Sequence, residues 1–378
     1  MVATCPSDNT DAIDQSSFWD SGNLHWDSHR IGWVIAGSCT LATLVISLVS
    51  VLLHCRNYTN PRQQRQIIRI LYMPPVYAVI SFLSFRFFRD YTYYSLAQVV
   101  YEAFTLGAFM LLLIDYVADS ATGHRAENAM VRKEKRALIF PFCCWRYRPT
   151  KPYFMYTLKW SVMQYVVIRP AVSIAGIITQ AFNVLCDSEG FNIHFANVYL
   201  EAVDFASISV ALYGLILFYG LTKEELVGRK PLAKFLSIKL IVMATFYQSF
   251  VFSALSSHNI LKATKYWTVT NIADGLNALA ICIEMIIFAA FMFWAFSYAE
   301  YKRSPGKPAT SIWRPLWDSI NFADFAVEIW GSLSFYICGA PTKKLPADER
   351  LDFGQAFGVS GHTLPSGYKR PGSALDYS

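Results

Sequence analysis

Seven apolar runs, each long enough to cross a lipid bilayer as a helix, dominate the sequence. A hydrocarbon core about 30 Å thick needs roughly 20 residues of helix, since each residue adds about 1.5 Å. Only 16% of the residues are charged, whereas a soluble domain has about 25%. We therefore expect an all-α membrane protein, a bundle of seven transmembrane helices, at about 31–53, 67–88, 94–117, 154–180, 197–219, 234–256 and 271–297.

Prolines interrupt two of these runs. Pro74 and Pro75 lie in the second run, and Pro170 lies in the fourth. Proline removes a backbone donor from a membrane helix and usually marks a kink. The sequence therefore predicts kinks in the second and fourth spans.

Lys and Arg residues alternate from loop to loop. The loops rich in them are 54–66, 119–153 and 220–233, and the loops with few or none are 89–93, 182–196 and 257–270. The N-terminal segment, residues 1–30, is short and acidic. Because basic loops stay on the cytosolic side, we expect the N-terminus to be outside the cell or in a lumen, and the C-terminus to be cytosolic.

The segment after the last span has a helical pattern of its own. Aromatic and aliphatic residues recur at helical spacing, with acidic residues between them: Trp313, Leu316, Trp317, Ile320, Val327, Trp330 and Leu333, with Asp318, Asp324 and Glu328. This pattern predicts a cytosolic amphipathic helix within 301–340 that lies at the membrane interface. Residues 341–378 are rich in Pro, Gly, Ser and Lys, which is typical of a disordered tail.

Ionisable residues inside the spans are the candidates for function, because a charge in a bilayer is expensive and rarely incidental. We expect six of them to line a path for an organic solute: Glu102, Arg169, Glu201, Asp204, Asp274 and Glu284. The alternative is a set of buried ion pairs that fix helix register, with Arg169 neutralised by Glu102 or Glu284. Asp115, Lys159 and Lys239 are nearer the span ends, where such side chains reach the headgroups.

Cysteines suggest two modifications. Cys143 and Cys144 lie in an aromatic, arginine-rich stretch beside the membrane, which is a setting for S-palmitoylation. Free thiols are the alternative. Cys5 and Cys186 both fall on the outer side, where a disulfide is chemically allowed.

The tail also contains two aromatic-x-x-aliphatic motifs, Trp313-x-x-Leu316 and Trp330-x-x-Leu333, with acidic residues nearby. Such motifs can bind Atg8-type autophagy adaptors, although they are frequent by chance.

Several classes of protein are disfavoured. No His lies within the seven runs, so an intramembrane zinc hydrolase would lack its ligands. The seventh run has no Lys for a retinal Schiff base, and the receptor motifs Asp-Arg-Tyr and Asn-Pro-x-x-Tyr do not occur at the expected spans. The chain has no P-loop and no nucleophile elbow. We expect no enzyme activity, no metal or other cofactor, and no nucleic-acid partner.

Several stretches resemble the organic solute transporter alpha family, which includes the transmembrane protein 184 group. They are NPRQQRQIIRILYMPPVYAV, Tyr101-Glu102-Ala103-Phe104, KWSVMQYVVIRPAVSIAGIITQAF, ALYGLILFYGLTKEEL, PLAKFLSIKLIV and ICIEMIIFAAFMFWAFSY. Residues 105–109 and 115–119 depart from the family pattern. The resemblance covers about residues 31 to 330 and is closest to fungal-type members, which are associated with vacuolar membranes.

The resemblance implies a seven-span facilitative carrier. Animal members carry bile acids and steroid conjugates together with a small single-span subunit, and their cytosolic cysteine cluster is lipidated, as Cys143 and Cys144 would be here. Our first hypothesis is therefore facilitative transport of amphipathic organic solutes, with an organic anion or sterol-like molecule as ligand.

The second hypothesis is an organelle-membrane scaffold whose cytosolic tail recruits an Atg8-type or other adaptor. Under either hypothesis the chain contacts membrane lipids, and a homo-oligomer is a further candidate assembly. The expected location is a vacuolar or other endomembrane, or the plasma membrane.

Overall fold

The computed structural model describes residues 19–20, 23–24, 28–87, 90–123, 136–137, 146–147, 152–185, 193–222, 230–257, 269–303 and 310–338. Two pairs of two-residue antiparallel strands lie outside the main body: β1 (Trp19–Asp20) with β2 (Asn23–Leu24), and β3 (Arg136–Ala137) with β4 (Arg146–Tyr147). Everything else of regular structure within these ranges is helical.

The main body consists of long helices in antiparallel succession. They are α1 (Ser28–Arg56), α2 (Pro61–Leu71), α3 (Met73–Arg86), α4 (Tyr91–Gly123), α5 (Pro152–Ala181), α6 (Ala196–Thr222), α7 (Pro231–Ser257) and α8 (Val269–Ala295). A 3₁₀ turn at Tyr298–Tyr301 follows α8. Two shorter helices, α9 (Trp313–Ile320) and α10 (Ala323–Cys338), complete the described chain.

Six segments of the described chain are long and apolar enough to cross a membrane. They are His29–Arg56, Pro61–Arg86, Tyr91–Val117, Thr157–Ala181, Ala196–Thr222 and Asn271–Tyr301. The all-helical prediction is confirmed, and each of these segments overlaps a predicted span. The remaining predicted span, 234–256, is also helical as part of α7, but it is not among the six.

The second span begins earlier than its apolar run indicates and is broken at Tyr72. Its first helix, α2, starts at Pro61 and buries polar side chains, including Gln63 and Gln64. The side-chain oxygen of Gln64, Oε1, accepts hydrogen bonds from the backbone N–H groups of Thr59 and Asn60, which satisfies the amides that precede the helix. The break precedes Pro74 and Pro75, whose rings cannot continue the helix before them.

Proline affects the fourth span differently. Pro170 lies inside α5, yet the helix continues from Pro152 to Ala181. Membrane helices tolerate such a residue when neighbouring helices satisfy the freed backbone groups.

One end of the bundle, which we call the basic end, is where α1, α4, α6 and α8 finish and α2, α5 and α7 begin. Gln63 at the start of α2 donates to the backbone of Asp115 near the end of α4. His54 at the end of α1 contacts the carbonyl of Phe296, just beyond α8. Every basic loop of the sequence therefore joins helices at this end.

The long helices form two groups on either side of α4. Helix α8 packs against α1, α3 and α7, whereas α5 and α6 pack closely on each other. Helix α4 contacts α3 and α7 on one side and α5 on the other. A cluster of buried apolar residues, including Phe109 and Leu112 of α4, fills this junction. Any group on α4 that faces the junction is thus enclosed by both halves.

The tail forms two helices where the sequence predicts one. Asn321 and Phe322 separate α9 from α10, and the Asn321 side-chain oxygen accepts from the backbone N–H of Ala323. Helix α9 packs against α2, and α10 packs against α5. The tail is therefore docked on the bundle.

Replacing Gly214 by Ala should weaken the contact between α5 and α6. A Cβ at this position would lie 1.8 Å from Ser161 Oγ and 3.0 Å from Ser161 Cβ, so the hydroxyl must turn away and the helices must separate. We expect a loss of about 1–3 kcal/mol, the usual effect of overpacking, seen as a lower Tm of the purified protein in detergent.

Gly275→Ala is the matched control, because the nearest atoms to its added Cβ would be ring carbons of Phe85 at 3.9 Å. This variant should keep its Tm or gain slightly, since Ala favours a helix over Gly by about 1 kcal/mol. Combining Ser161→Ala with Gly214→Ala should recover part of the loss. Equal Tm values for the two glycine variants would contradict the close contact at Gly214.

Candidate functional site

An ion pair between Arg169 and Asp204 lies deep in the bundle. Arg169 Nη1 is 2.6 Å from Asp204 Oδ1, and the two side chains are 17% and 18% exposed. Arg169 is near the midpoint of the span Thr157–Ala181, so the pair is far from either membrane surface. The sequence pointed to Glu102 or Glu284 as the partner of Arg169, but the partner is Asp204, on the helix that packs directly against α5.

Glu102 faces this pair from α4. It is 8% exposed and lies within electrostatic range of Arg169, Asp204 and Lys239. Among the described residues its carboxylate has no hydrogen-bond or ion-pair partner. A carboxylate enclosed in this way depends on the nearby cations for its stability.

Two tyrosines complete the group. Tyr77 of α3 and Tyr165 of α5 are each 1% exposed, and both lie within electrostatic range of Glu102 and Arg169. We call the set Tyr77, Glu102, Tyr165, Arg169, Asp204 and Lys239 the central cluster. It draws side chains from five helices, α3 to α7, around the junction at α4.

Lys239 differs from the expectation for a lysine near a span end. It is half-buried on α7 and lies within electrostatic range of Glu102, the charge of the central cluster that acts on it. No described residue forms an ion pair or hydrogen bond with it. Arg169 Nε is likewise buried with no partner in the described part of the chain. Two cations of the central cluster thus retain unused donors.

Two further buried polar groups, on the same helices as Arg169 and Lys239, carry no charge and so were not among the candidates from the sequence. Ser173 lies one turn beyond Arg169 on α5, and its hydroxyl is buried without a described partner. The side-chain oxygen of Gln248, on α7, is in the same state. Only their burial distinguishes them from the many hydroxyls and amides of other helices.

The remaining path candidates lie elsewhere. Glu201 is exposed on the periphery of α6, where Asn197 donates to it over 3.4 Å. Asp274 and Glu284 are half-buried on α8, and one Glu284 oxygen is buried without a described partner. Of the six candidates, the structure therefore brings together Glu102, Arg169 and Asp204.

A second polar network lies at the basic end. Lys234 of α7 is 1% exposed; its ammonium donates to Tyr116 at 2.9 Å and to both oxygens of Glu300 at 3.1 and 3.0 Å. Tyr301 continues the network by donating to Gln63 at 3.1 Å. Because these donors and acceptors satisfy one another, the network fixes the packing of α2, α4, α7 and the 3₁₀ turn.

Arg69 is the residue that holds the tail. Its guanidinium forms a bidentate pair with Asp324, at 2.7 and 2.8 Å. It also donates to the carbonyls of Ser319 and Asn321 at 2.9 and 2.6 Å, and to the Gln66 side chain at 2.9 Å. Arg69 was not a candidate from the sequence. An arginine close to a basic loop is already explained by the rule that basic loops stay cytosolic.

Neighbouring charges strengthen this contact. Burial alone would raise the pKa of Asp324, but the hydrogen bond from Arg69, the charges of Arg69 and Arg65, and the hydrogen bond from Gln66 together hold the pKa below its usual value. Because its pKa is lowered, the ionised carboxylate stabilises the docked tail at any pH above the ordinary carboxyl range. This stabilisation is lost only as the pH falls through the lowered pKa. The contact therefore persists at neutral pH.

Lys159 forms a second connection to the tail. It is buried at the start of the fourth span and pairs with Glu328 of α10, whereas the sequence suggested that it would extend to the headgroups. Asp115 lies within electrostatic range of Arg62, Arg65, Asp324 and Lys159, so it belongs to the same group of charges.

The candidate adaptor residues are only partly accessible. Trp313 and Trp330 are 81% and 71% exposed. Leu316 is half-buried and packs against the core. The side chain of Leu333 lies outside the described ones, as do Cys143, Cys144, Cys5 and Cys186.

The comparison with known families decides the identity. A model of the family described as organic solute transporter Ostalpha matches residues 32–301. The chain belongs to this family. The match covers α1 to the 3₁₀ turn, and so includes every residue of the central cluster, while α9 and α10 lie beyond it. No solved structure matches the chain.

Membership confirms the resemblance inferred from the sequence motifs. Together with the apolar helices, it establishes a multi-pass membrane protein of a transporter family, which is not a family of enzymes. The described residues contain no group of three or more His, Cys, Asp or Glu side chains that could hold a metal ion.

Arg169→Gln should destabilise the bundle, because it leaves the Asp204 carboxylate enclosed without its cation. We expect a loss of about 3 kcal/mol, the lower end of the range for breaking a buried pair, measured as a fall in Tm in detergent. Adding Asp204→Asn to this variant should restore most of the stability.

Glu201→Gln is the control for this prediction, since Glu201 lies on the same helix as Asp204 but faces outward. Its effect should stay within about 0.5 kcal/mol. If Arg169→Gln were as stable as Glu201→Gln, the pair would not contribute to the fold.

Proposed function

We propose that the protein facilitates the movement of amphipathic organic anions, steroid- or bile-acid-like in character, through a path at the central cluster. The observation that carries this proposal is the pair of cations with unused donors, Lys239 and Arg169 Nε, inside the bundle. A sulfate or carboxylate supplies the acceptors that such donors lack. The apolar residues around the junction suit the hydrocarbon part of the same solute.

The arrangement of helices supports a moving path. Helices α5 and α6 form one packed unit, and α1, α3, α7 and α8 form another, with α4 between them. Glu102 on α4 faces charges from both units: Arg169 and Asp204 on one side, and Lys239 on the other. A solute that pairs with these charges would bias the position of one unit relative to the other, which is what alternating access requires.

The proposed topology has seven spans, with α7 as the additional one and α2–α3 as a single broken span. The N-terminus is outside or lumenal, and the basic end with the tail is cytosolic. This orientation follows from the basic loops, and the basic end collects all of them. Transport is facilitative, as the family resemblance implies, and it uses no ATP, since the sequence contains no nucleotide-binding motif.

The proposed environment includes partners that lie outside the described structure. We propose a vacuolar or other endomembrane, or the plasma membrane, as the location. We retain palmitoylation of Cys143 and Cys144, and assembly with a small single-span subunit or a second copy, as proposals that follow from the family resemblance.

A scaffold role is the second candidate, because α9 and α10 present two exposed tryptophans, Trp313 and Trp330. If an Atg8-type adaptor binds Trp330 in a pocket, it should lose most of its affinity for the Trp330→Ala variant. If it binds Trp313 instead, it should lose most of its affinity for Trp313→Ala. Titration of the purified full-length protein with the adaptor measures this. Unchanged affinity in both variants, or no binding to the wild type, would contradict this role.

Lys239→Met should lower the saturable uptake of a labelled steroid sulfate into proteoliposomes at least about tenfold, which corresponds to roughly 1.4 kcal/mol of lost interaction. The physical reason is the loss of a charge-assisted contact with the sulfate. Uptake of the corresponding unconjugated steroid should change much less, because it has no charge to pair.

Lys302→Met is the matched control, because Lys302 is exposed beyond the 3₁₀ turn. It should transport like the wild type. Two outcomes would overturn the proposal: unchanged sulfate uptake by Lys239→Met at equal reconstitution, or the absence of saturable uptake by the wild type.

A further inference from the structure

The tail contacts the bundle well inside its basic end. Phe325 of α10 lies against Gly107, because a Cβ at Gly107 would be 2.7 Å from its ring and equally close to Val166 of α5. Gly107 is about 10 residues, or roughly 15 Å, from the end of the span Tyr91–Val117. Val166 is about 9 residues, or roughly 14 Å, from the start of the span Thr157–Ala181.

A third helix gives the same depth. Arg69, which binds the segment between α9 and α10, lies beside Tyr101 of α4, whose hydroxyl donates to the Arg69 carbonyl at 2.7 Å. The aromatic ring of Phe322, in that segment, lies 5.2 Å from the ring of Phe104 on α4. The turn between α9 and α10 therefore lies far beyond the level at which the three spans begin.

The two ends of the tail, by contrast, lie near the surface. Thr310, just before α9, donates to the backbone of Cys55 at 2.9 Å and of Arg56 at 3.2 Å, where α1 ends. On the far side of the turn, Glu328 of α10 pairs with Lys159, near the start of the fourth span. The chain thus enters at the surface, turns at depth and comes back.

The outer side of this hairpin is mostly apolar, and the exposed polar residues on it are Arg314 near the start of α9 and Asn321 at the turn. Trp313, Trp317, Ile320, Val327 and Trp330 are exposed, from 48% to 81%. The polar side chains Asp318, Asp324 and Glu328 point to the bundle instead and bind Tyr58, Arg69 and Lys159. This is the reverse of the arrangement expected in water, because the acidic residues face the bundle and the tryptophans are exposed.

We propose that α9 and α10 form a re-entrant hairpin whose exposed face contacts the lipid acyl chains of the leaflet at the basic end. The occupant is lipid because the bundle beside the hairpin faces lipid at the same depth. Val167 of α5, next to Val166 in the chain, is 46% exposed and continues the apolar surface. Tryptophan is also the side chain most favoured where acyl chains meet headgroups.

The charged pair at the turn does not oppose this placement. Asp324 is neutralised by a bidentate arginine, and Arg69 uses all its donors on Asp324, Gln66 and the backbone carbonyls of the turn. A charge within a bilayer is tolerated when it faces the bundle and is paired in this way. Two backbone carbonyls at the end of α9, those of Ser319 and Asn321, accept from the same guanidinium, and non-helical backbone at membrane depth needs such partners.

A depth profile tests the hairpin. Full-length variants with a single added cysteine at Trp313, Trp317, Ile320, Val327 or Trp330 are spin-labelled in phosphatidylcholine vesicles, and the signal of the identically labelled parent is subtracted. Collision with oxygen, relative to a water-soluble nickel chelate, reports depth. We expect this ratio to be greatest at Ile320 and to fall towards Trp313 and Trp330, and at Ile320 to exceed that of Lys302→Cys several-fold.

Val167→Cys supplies the reference value for a lipid-facing position on a span. A flat profile would mean that the two helices lie along the surface, and would overturn the hairpin. Low collision with both reagents at all five positions would mean that a protein partner covers the face, and would overturn lipid as the occupant. None of these readings depends on transport.

The Arg69 contact gives an independent test. In the Asp324→Asn background, the collision rate of the label at Ile320→Cys with the nickel chelate should rise several-fold, towards the rate at Lys302→Cys. The reason is that the turn loses its charged anchor. Asp318→Asn is the matched control, since its amide oxygen can still accept from Tyr58. An unchanged profile in Asp324→Asn would contradict the proposed anchor.

Discussion

The guanidinium of Arg69 is the contact on which the basic end of the bundle depends. Its N–H groups bind Asp324, the carbonyls of Ser319 and Asn321, and Gln66, while the rings of Phe322 and Phe325 lie 4.9 and 5.1 Å from its central carbon. A cation in a bilayer is stabilised when it faces the interior of the bundle and is paired in this way. Arg69 and the tail therefore stabilise each other, because removal of either leaves the other with enclosed, unpaired groups.

The central cluster differs from this contact in one physical respect, which is that its donors are not used up. Arg169 has one ion pair and a buried Nε without a partner, and Lys239 has no direct partner among the described residues. A saturated site fixes structure, since any ligand would have to displace a bond already made. An unsaturated site can accept a ligand with a net gain, which is why the function is assigned to Lys239 and Arg169 rather than to Arg69.

The features that the bilayer determines could be predicted from the sequence, and those that depend on pairing between distant side chains could not. Apolar length located six of the seven predicted spans in the described chain. The high energy of intramembrane charge selected six path candidates, of which the structure brings Glu102, Arg169 and Asp204 together. Sequence reasoning did not find the start of α2, because Gln63 and Gln64 are polar and are buried only through hydrogen bonds to other segments. Nor could it pair Arg69 with Asp324, which are separated by 255 residues.

The tail shows how one amphipathic pattern fits two opposite placements. Alternating Trp and acidic residues predict a helix at an interface, but the pattern does not say whether the acidic face meets water or cations of the bundle. The answer depends on Arg69 and Lys159, one on each side of α4. Since α9 is fixed to α2 and α10 to α5, any displacement of the α5–α6 unit must be absorbed at the turn, Asn321–Phe322. If the two units that enclose Glu102 move as proposed, the docked tail limits how far they can separate.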